Sequence, residues 1–155
     1  MGIDQDINQT KFRNEYQKVM INLLYTYGWM TEKSKEFFSR EDITPQQFNI
    51  LRILRGSHPQ PLSTLQIRER MLDKMSDTSR IVDRLVTKGY VKKGTCKADR
   101  RLVDVIITDK GRKLLERIDE REDELDNIIG NLSRKEAVQL SELLDKMREP
   151  VTTNA

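Results

Sequence analysis

The chain has 155 residues, 36% of them hydrophobic and 34% charged, with 28 Lys or Arg against 25 Asp or Glu and a net charge of +3. One domain with a core beneath a wet surface is expected. No stretch is apolar enough for a membrane span, residues 1–6 have neither the basic start nor the apolar run of a secretory signal, and the lone cysteine excludes an internal disulfide, so a cytoplasmic protein with no membrane contact is expected.

Taken in chain order, Phe12, Tyr16, Val19, Met20, Leu23, Leu24 and Tyr27 recur at steps of three and four residues. This predicts a long amphipathic helix continuing past Trp29 towards Phe37 and Phe38. Thr44, Pro45 and Gln47 supply a cap, a proline at the first helical position and a glutamine at the third, so a second helix runs to about Arg55 before Gly56 stops it. His58 lies in a proline-flanked connector with no Cys or carboxylate at ligand spacing and reads as a surface loop residue. Ser63 and Gln66 repeat the capping pattern for a shorter helix with Leu65, Ile67 and Leu72 inward and Arg68 and Arg70 outside. In a helix-turn-helix pair it would cross a sugar-phosphate backbone, with Ser63 and Thr64 as either caps or phosphate contacts.

Residues 76–89 begin with an N-cap type at Ser76 and end in Gly89, the two ends such a helix wants. Ile81, Val82, Leu85 and Val86 can pack inward, while Arg80, Arg84 and Lys88 follow at i, i+4 and i+8 on another face beside Ser79, Asp83 and Thr87. Arginine can fork onto guanine, serine and threonine suit either kind of base, and a helix N-terminus favours a phosphate. Alone, such a face is equally an ordinary solvated surface. The segment after Gly89 decides between them, because residues 90–96 and 102–108 read as paired strands around a basic tip. Lys92, Lys93, Lys97, Arg100 and Arg101 against Asp99 make a ribbon able to straddle a phosphate backbone and place one arginine in a minor groove. Asp99 is spaced to pin the Arg101 guanidinium.

The tail differs in sign and purpose. Residues 74–113 hold twelve Lys or Arg against five acids, a net +7, whereas residues 114–149 hold eleven acids against six bases, a net −5. One end is suited to DNA and the other is not, so long-range attraction should orient the approach. Leu114, Leu115, Ile118, Leu125, Ile128 and Ile129 form a second apolar stripe. Ser133 and Glu136 then form a capping box, and Leu140, Leu143, Leu144 and Met147 line a final helix before Pro150. A three-helix reader with a small hairpin cannot cover both terminal stripes. A second copy is the economical partner, with packing inside one monomer as the alternative.

Several segments, in order and spacing, resemble a known family. Residues 43–51 look like its second helix, 62–67 its third and 76–85 its recognition helix. Asp99-Arg100-Arg101 is similar to its wing motif, and residues 107–111 to its turn into the fifth helix. Over nearly its whole length the chain resembles the multiple antibiotic resistance regulator (MarR) family of bacterial transcription factors. The resemblance implies a mainly α fold with a small β-hairpin: a winged helix-turn-helix at residues 44–113, flanked by dimerisation helices at about 8–40 and 114–149. It implies a homodimer on a near-palindromic double-stranded operator, acting as a repressor released by a small aromatic or phenolic effector. The residues marked for DNA are Ser63, Thr64, Ser76, Thr78, Ser79, Arg80, Asp83, Arg84, Lys88, Lys92, Lys93, Lys97, Asp99, Arg100 and Arg101. Tyr25, Tyr27, Trp29, Met30, Phe37 and Phe38 offer adaptable walls for the effector, although aromatic stripes at helical spacing are usually core. One departure from the family is Asp77-Thr78, where the extra carboxylate is expected to repel phosphate and alter base preference.

No Gly-rich phosphate loop, nucleophile elbow or metal-binding helix motif occurs, so no enzyme, cofactor or metal is expected. Family redox sensors carry their cysteine in the N-terminal helix, which has none here. Cys96 therefore reads as an incidental strand residue. The competing function is a winged-helix interaction module whose basic face binds an acidic protein.

Overall fold

The computed structural model describes residues 1–152, and among these it places eight α-helices and one small sheet. Residues 1–120 make one compact unit and the chain from Arg121 a second. The fold is mainly α, as the periodicities predict.

A short turn, α1 (Ile3–Asp6), buries Ile3. It is followed by the long α2 (Glu15–Ser39), whose first turn is capped by Asn14 accepting the Gln17 N–H. Helix α3 (Pro45–Ser57) carries the predicted capping box: the Thr44 hydroxyl accepts from the Gln47 N–H, and the Gln47 side chain accepts from the Thr44 N–H. Gly56 does not stop this helix, which continues to Ser57. A glycine inside a helix costs only about 1 kcal/mol relative to alanine, which packing of Leu51 and Leu54 overrides. The next capping box, Ser63 with Gln66, opens α4 (Thr64–Arg70). Then come α5 (Thr78–Thr87), β2 (Val91–Thr95), β3 (Val103–Ile107) and α6 (Asp109–Asp119).

The predicted hairpin gains a third strand. Two residues, β1 (Leu62–Ser63), pair antiparallel with β3 on the edge opposite β2, giving the order β1-β3-β2. Two residues carry no detectable alternation, so this strand exists through pairing alone. Alternation along the sheet turns Val91, Val105 and Ile107 inward, where they meet Ile50, Leu51 and Leu54 of α3, Ile67 of α4, Val82 and Leu85 of α5, and Leu114, Leu115 and Ile118 of α6. Two glycines shape the route from helix to wing. Gly89 has a φ of +79°, a left-handed residue just past α5, and a Cβ at Gly111 would collide with the Tyr90 carbonyl oxygen and the Ile107 side chain.

Two expectations need correction. In α4 only Ile67 is buried; Leu65 and Leu72 are exposed, and Met71 takes the core position instead. The stripe starting at Leu114 is not one helix, because α6 ends at Asp119. Its Leu114, Leu115 and Ile118 are fully buried in their own chain. In the second unit, α7 (Glu122–Asp126) runs into a 3-10 turn (Asn127–Ile129), and α8 (Arg134–Met147) opens with the predicted Ser133–Glu136 box and has no buried residue.

Candidate nucleic-acid interface

Helix α5 starts at Thr78, one residue later than an N-cap at Ser76 would place it, because Asp77 is its N-cap and accepts the Arg80 N–H at 3.2 Å. The carboxylate that departs from the family pattern is therefore occupied in holding the first turn, a position where aspartate is among the preferred residues. Val82 and Leu85 face the core. Ser79, Arg80, Asp83, Arg84 and Thr87 lie on the exposed face.

The basic stripe does not extend to Lys88. Eight residues on from Arg80, a helix has drifted about 80° round its axis. Lys88 is half-buried, and its ammonium donates to the Asp42 carbonyl oxygen and, at 3.5 Å, to the Gln47 side chain. Lys88 is thus directed into the body of the reader.

The N-terminal ends of α4 and α5 meet in an open notch of about 440 Å³ lined by Thr64, Arg68, Ser76, Asp77, Thr78 and Ser79, among others. Four of the predicted site residues come together here. Thr78 is buried, and among the described residues its hydroxyl has no hydrogen-bond partner, nor has the buried hydroxyl of Ser76. Ser63 is buried too, and its hydroxyl caps α4 by accepting the Gln66 N–H at 3.1 Å. Arg68 joins the notch although sequence reasoning left it as an outer residue. Its spacing of four from Thr64, one helical turn, was the available signal. Asn49 was also missed: its side-chain oxygen accepts the Leu72 N–H at 2.9 Å and so holds the turn between α4 and α5.

The wing divides its cations. Arg101 is pinned as expected, with Nε and Nη2 each 3.1 Å from a different Asp99 oxygen and the Arg101 N–H a further 3.0 Å donor to the same carboxylate. The Arg101 side chain is nonetheless 90% exposed, and its hydrogen bonds hold the Asp99 carboxyl below its ordinary 3.8. Lys97 and Arg100 are exposed at the tip. Lys93 pairs with Asp83 of α5, which neutralises one cation and ties the wing to the helix. Lys93 lies opposite the buried Val105 and Lys92 opposite Ile106, so alternation puts the two lysines on different faces of the sheet. The five wing cations are therefore not one surface. Cys96 is half-buried where the tip begins.

Comparison with known proteins agrees with this geometry. The MarR family profile matches residues 41–102, from the loop after α2 through the wing tip. The regulator PecS of Dickeya dadantii is 27% identical over 93% of this chain and 92% of its own length. A MarR transcription factor of Planctomyces limnophilus, known from a crystal structure, is 33% identical over 87% of this chain and 98% of its own, with a TM-score of 0.67. The chain belongs to the MarR family. It is a winged-helix transcription regulator, and its relatives are regulators and not enzymes. A mutant Escherichia coli MarR solved with operator DNA shares the fold at 24% identity, covering 90% of this chain and all of that one, with a TM-score of 0.79.

In this MarR-family chain the six candidate pocket residues separate. Phe37 and Phe38 are core: their rings meet edge to face at 5.0 Å, and Phe38 stacks on Phe48 at 4.3 Å. Tyr25 and Trp29 are exposed on α2. Tyr27 and Met30 line a cavity of about 300 Å³, with Pro45, Asn49, Met71 and Leu72 on its other walls. Among the described residues no helix is long and apolar enough to cross a membrane, and no His, Cys, Asp and Glu cluster is placed for a metal.

Proposed function

We propose that this regulator represses transcription by gripping a near-palindromic operator as a homodimer and that a small aromatic or phenolic molecule releases it. The observation that carries the DNA reading is the Asp99-pinned, outward-facing Arg101 beyond a capped helix whose Ser79, Arg80 and Arg84 are exposed. An ordered guanidinium loses less freedom on entering a groove. Two-fold symmetry puts the two α5 helices in successive major grooves, about 10 base pairs apart, with a wing in each flanking minor groove. Arg80 and Arg84 contact bases or phosphates. Arg68, Thr64 and Ser79 around the notch receive a backbone phosphate, and Lys97 and Arg100 add nonspecific attraction.

Exposed apolar side chains support the dimer: Tyr16 is 82% and Leu24 70% exposed on α2, and Leu143 58% on α8. The flanking segments at 8–40 and 114–149 are assigned to that interface, with the C-terminal share beginning after Asp119 because the earlier leucines are already buried. The cavity at Tyr27 and Met30 suits a single aromatic ring.

Purified protein is tested against a fragmented DNA pool at decreasing salt. Binding should rise steeply and converge on one palindrome. Capture of an acidic protein with no DNA selection would favour an interaction module instead. Thermal shift against salicylate-like phenols tests whether the cavity binds such a molecule, and no shift across the panel counts against the effector.

A further inference from the structure

The C-terminal end of α5 is clamped from two sides. On one side the Lys88 ammonium reaches back 46 residues to the loop closing α2, donating to the carbonyl oxygen of Asp42, standing 3.8 Å from the Asp42 carboxylate, and lying 3.5 Å from the Gln47 side-chain oxygen. Asp42 holds a left-handed φ of +54°, and Gln47 is buried within the α3 capping box, so both acceptors are fixed in place. On the other side, Lys110 of α6 donates to the Lys88 carbonyl oxygen at 2.7 Å, and the Thr108 hydroxyl donates to the Gly89 carbonyl oxygen at 2.7 Å. The same α2–α3 loop is also tied to α6 by Glu41 and Arg117 at 3.2 Å. The first turn of α5 is held by its own Asp77 cap beside an open notch.

We propose that Lys88 is a positioning residue for operator recognition, its ammonium setting the angle of α5 through the loop that ends α2, and not a phosphate contact. The proposal rests on the operator reading above. Arg80 lies eight residues from Lys88, about 12 Å along the helix, so a tilt of about 10° at the clamp moves it by about 2 Å. Productive contacts tolerate only about 0.5 Å. Loss of the clamp therefore harms base reading, while phosphate attraction, which depends on charge and not on angle, persists.

The test compares wild type, Lys88→Met and Lys88→Arg by equilibrium binding to the selected operator and to unrelated duplex DNA over a salt series. Melting temperatures of the same samples are recorded. Lys88→Met should bind the operator about tenfold more weakly, with unrelated-DNA affinity and the salt slope unchanged, and Lys88→Arg should recover most of the loss. A salt slope smaller by about 0.9 would reveal a phosphate contact and overturn the proposal. So would an unchanged operator affinity, or an equal loss on both DNAs. Should Lys88→Met not fold, Asp42→Gly loosens the acceptor loop at a φ that glycine tolerates. It should cost operator affinity several-fold with no change in slope, and no loss there overturns the proposal. Wild-type protein that selects no site removes the operator reading and this proposal with it.

Discussion

From α3 to α6 most large apolar side chains are inside, with Leu65, Leu72 and Met75 the exposed exceptions, and several cations are braced, as in Arg55 on Asp119 at 2.7 Å, Lys93 on Asp83, and Lys88 on Asp42. Along α2 the reverse holds: Tyr16, Met20, Leu24 and Tyr27 are all exposed, and α8 leaves Val138, Leu140, Leu143 and Met147 exposed. The reader is finished as a single chain and the long helices are not. Apart from Phe37 and Phe38 at the end of α2, these helices leave their apolar stripes uncovered, and the proposed second copy is the simplest surface that would complete them.

The largest effect should come from breaking the unfinished side. Leu24→Glu places a charge where the proposed dimer would need an apolar contact, so sedimentation should show a monomer. Operator affinity should fall by about 100-fold, because two linked half-sites become one. The reader should keep its melting transition, and a stable dimer in this variant would show that α2 has another role.

A smaller effect is expected at the finished side. Arg101→Ala removes the ordered wing cation and should cost about 1–3 kcal/mol of operator binding with a salt slope lower by about 1. Asp99→Asn keeps the charge of Arg101 but weakens its pinning, so it should fall between wild type and Arg101→Ala. Asp77→Asn runs the other way. Asparagine caps as well as aspartate and adds no negative charge at the notch, so affinity should rise a few-fold while thermal stability stays the same. A loss of binding would mean that the carboxylate itself reads a base.

The smallest effect concerns pH. The Arg101 hydrogen bonds lower the Asp99 carboxyl in the folded wing, so this contact is present above the ordinary carboxylate value of 3.8 and is lost only as pH falls through the depressed one. Carboxyl chemical shifts should therefore show Asp99 still ionised when exposed carboxylates are half-protonated. Wing geometry should not change between pH 8 and about pH 5.

Much of the reader was legible because its signals are local. The capping boxes at Thr44, Ser63 and Ser133, the C-terminal Gly89 and the Asp99–Arg101 pair all act within five residues, so their spacing in the chain is nearly their spacing in the fold. Periodicity likewise identified α2 and α8 as amphipathic, though it could not say which stripes would be covered. Leu114 and Leu115 look like Leu143 and Leu144 in the sequence, yet the first two are fully buried and Leu143 is exposed.

By itself, then, the sequence determined the helices and their caps, the hairpin, the separation of a +7 segment from a −5 segment, and the family resemblance. Tertiary structure alone decided where the flexible cations go. Lys88 turns from the expected DNA face to Asp42, 46 residues away, Lys92 and Lys93 part to opposite faces of the sheet, and Phe38 leaves the expected pocket to stack on Phe48. A helix is specified by neighbours one turn away, but a long side chain settles on whichever partner the folded chain brings within reach, and that partner has no fixed spacing in the sequence.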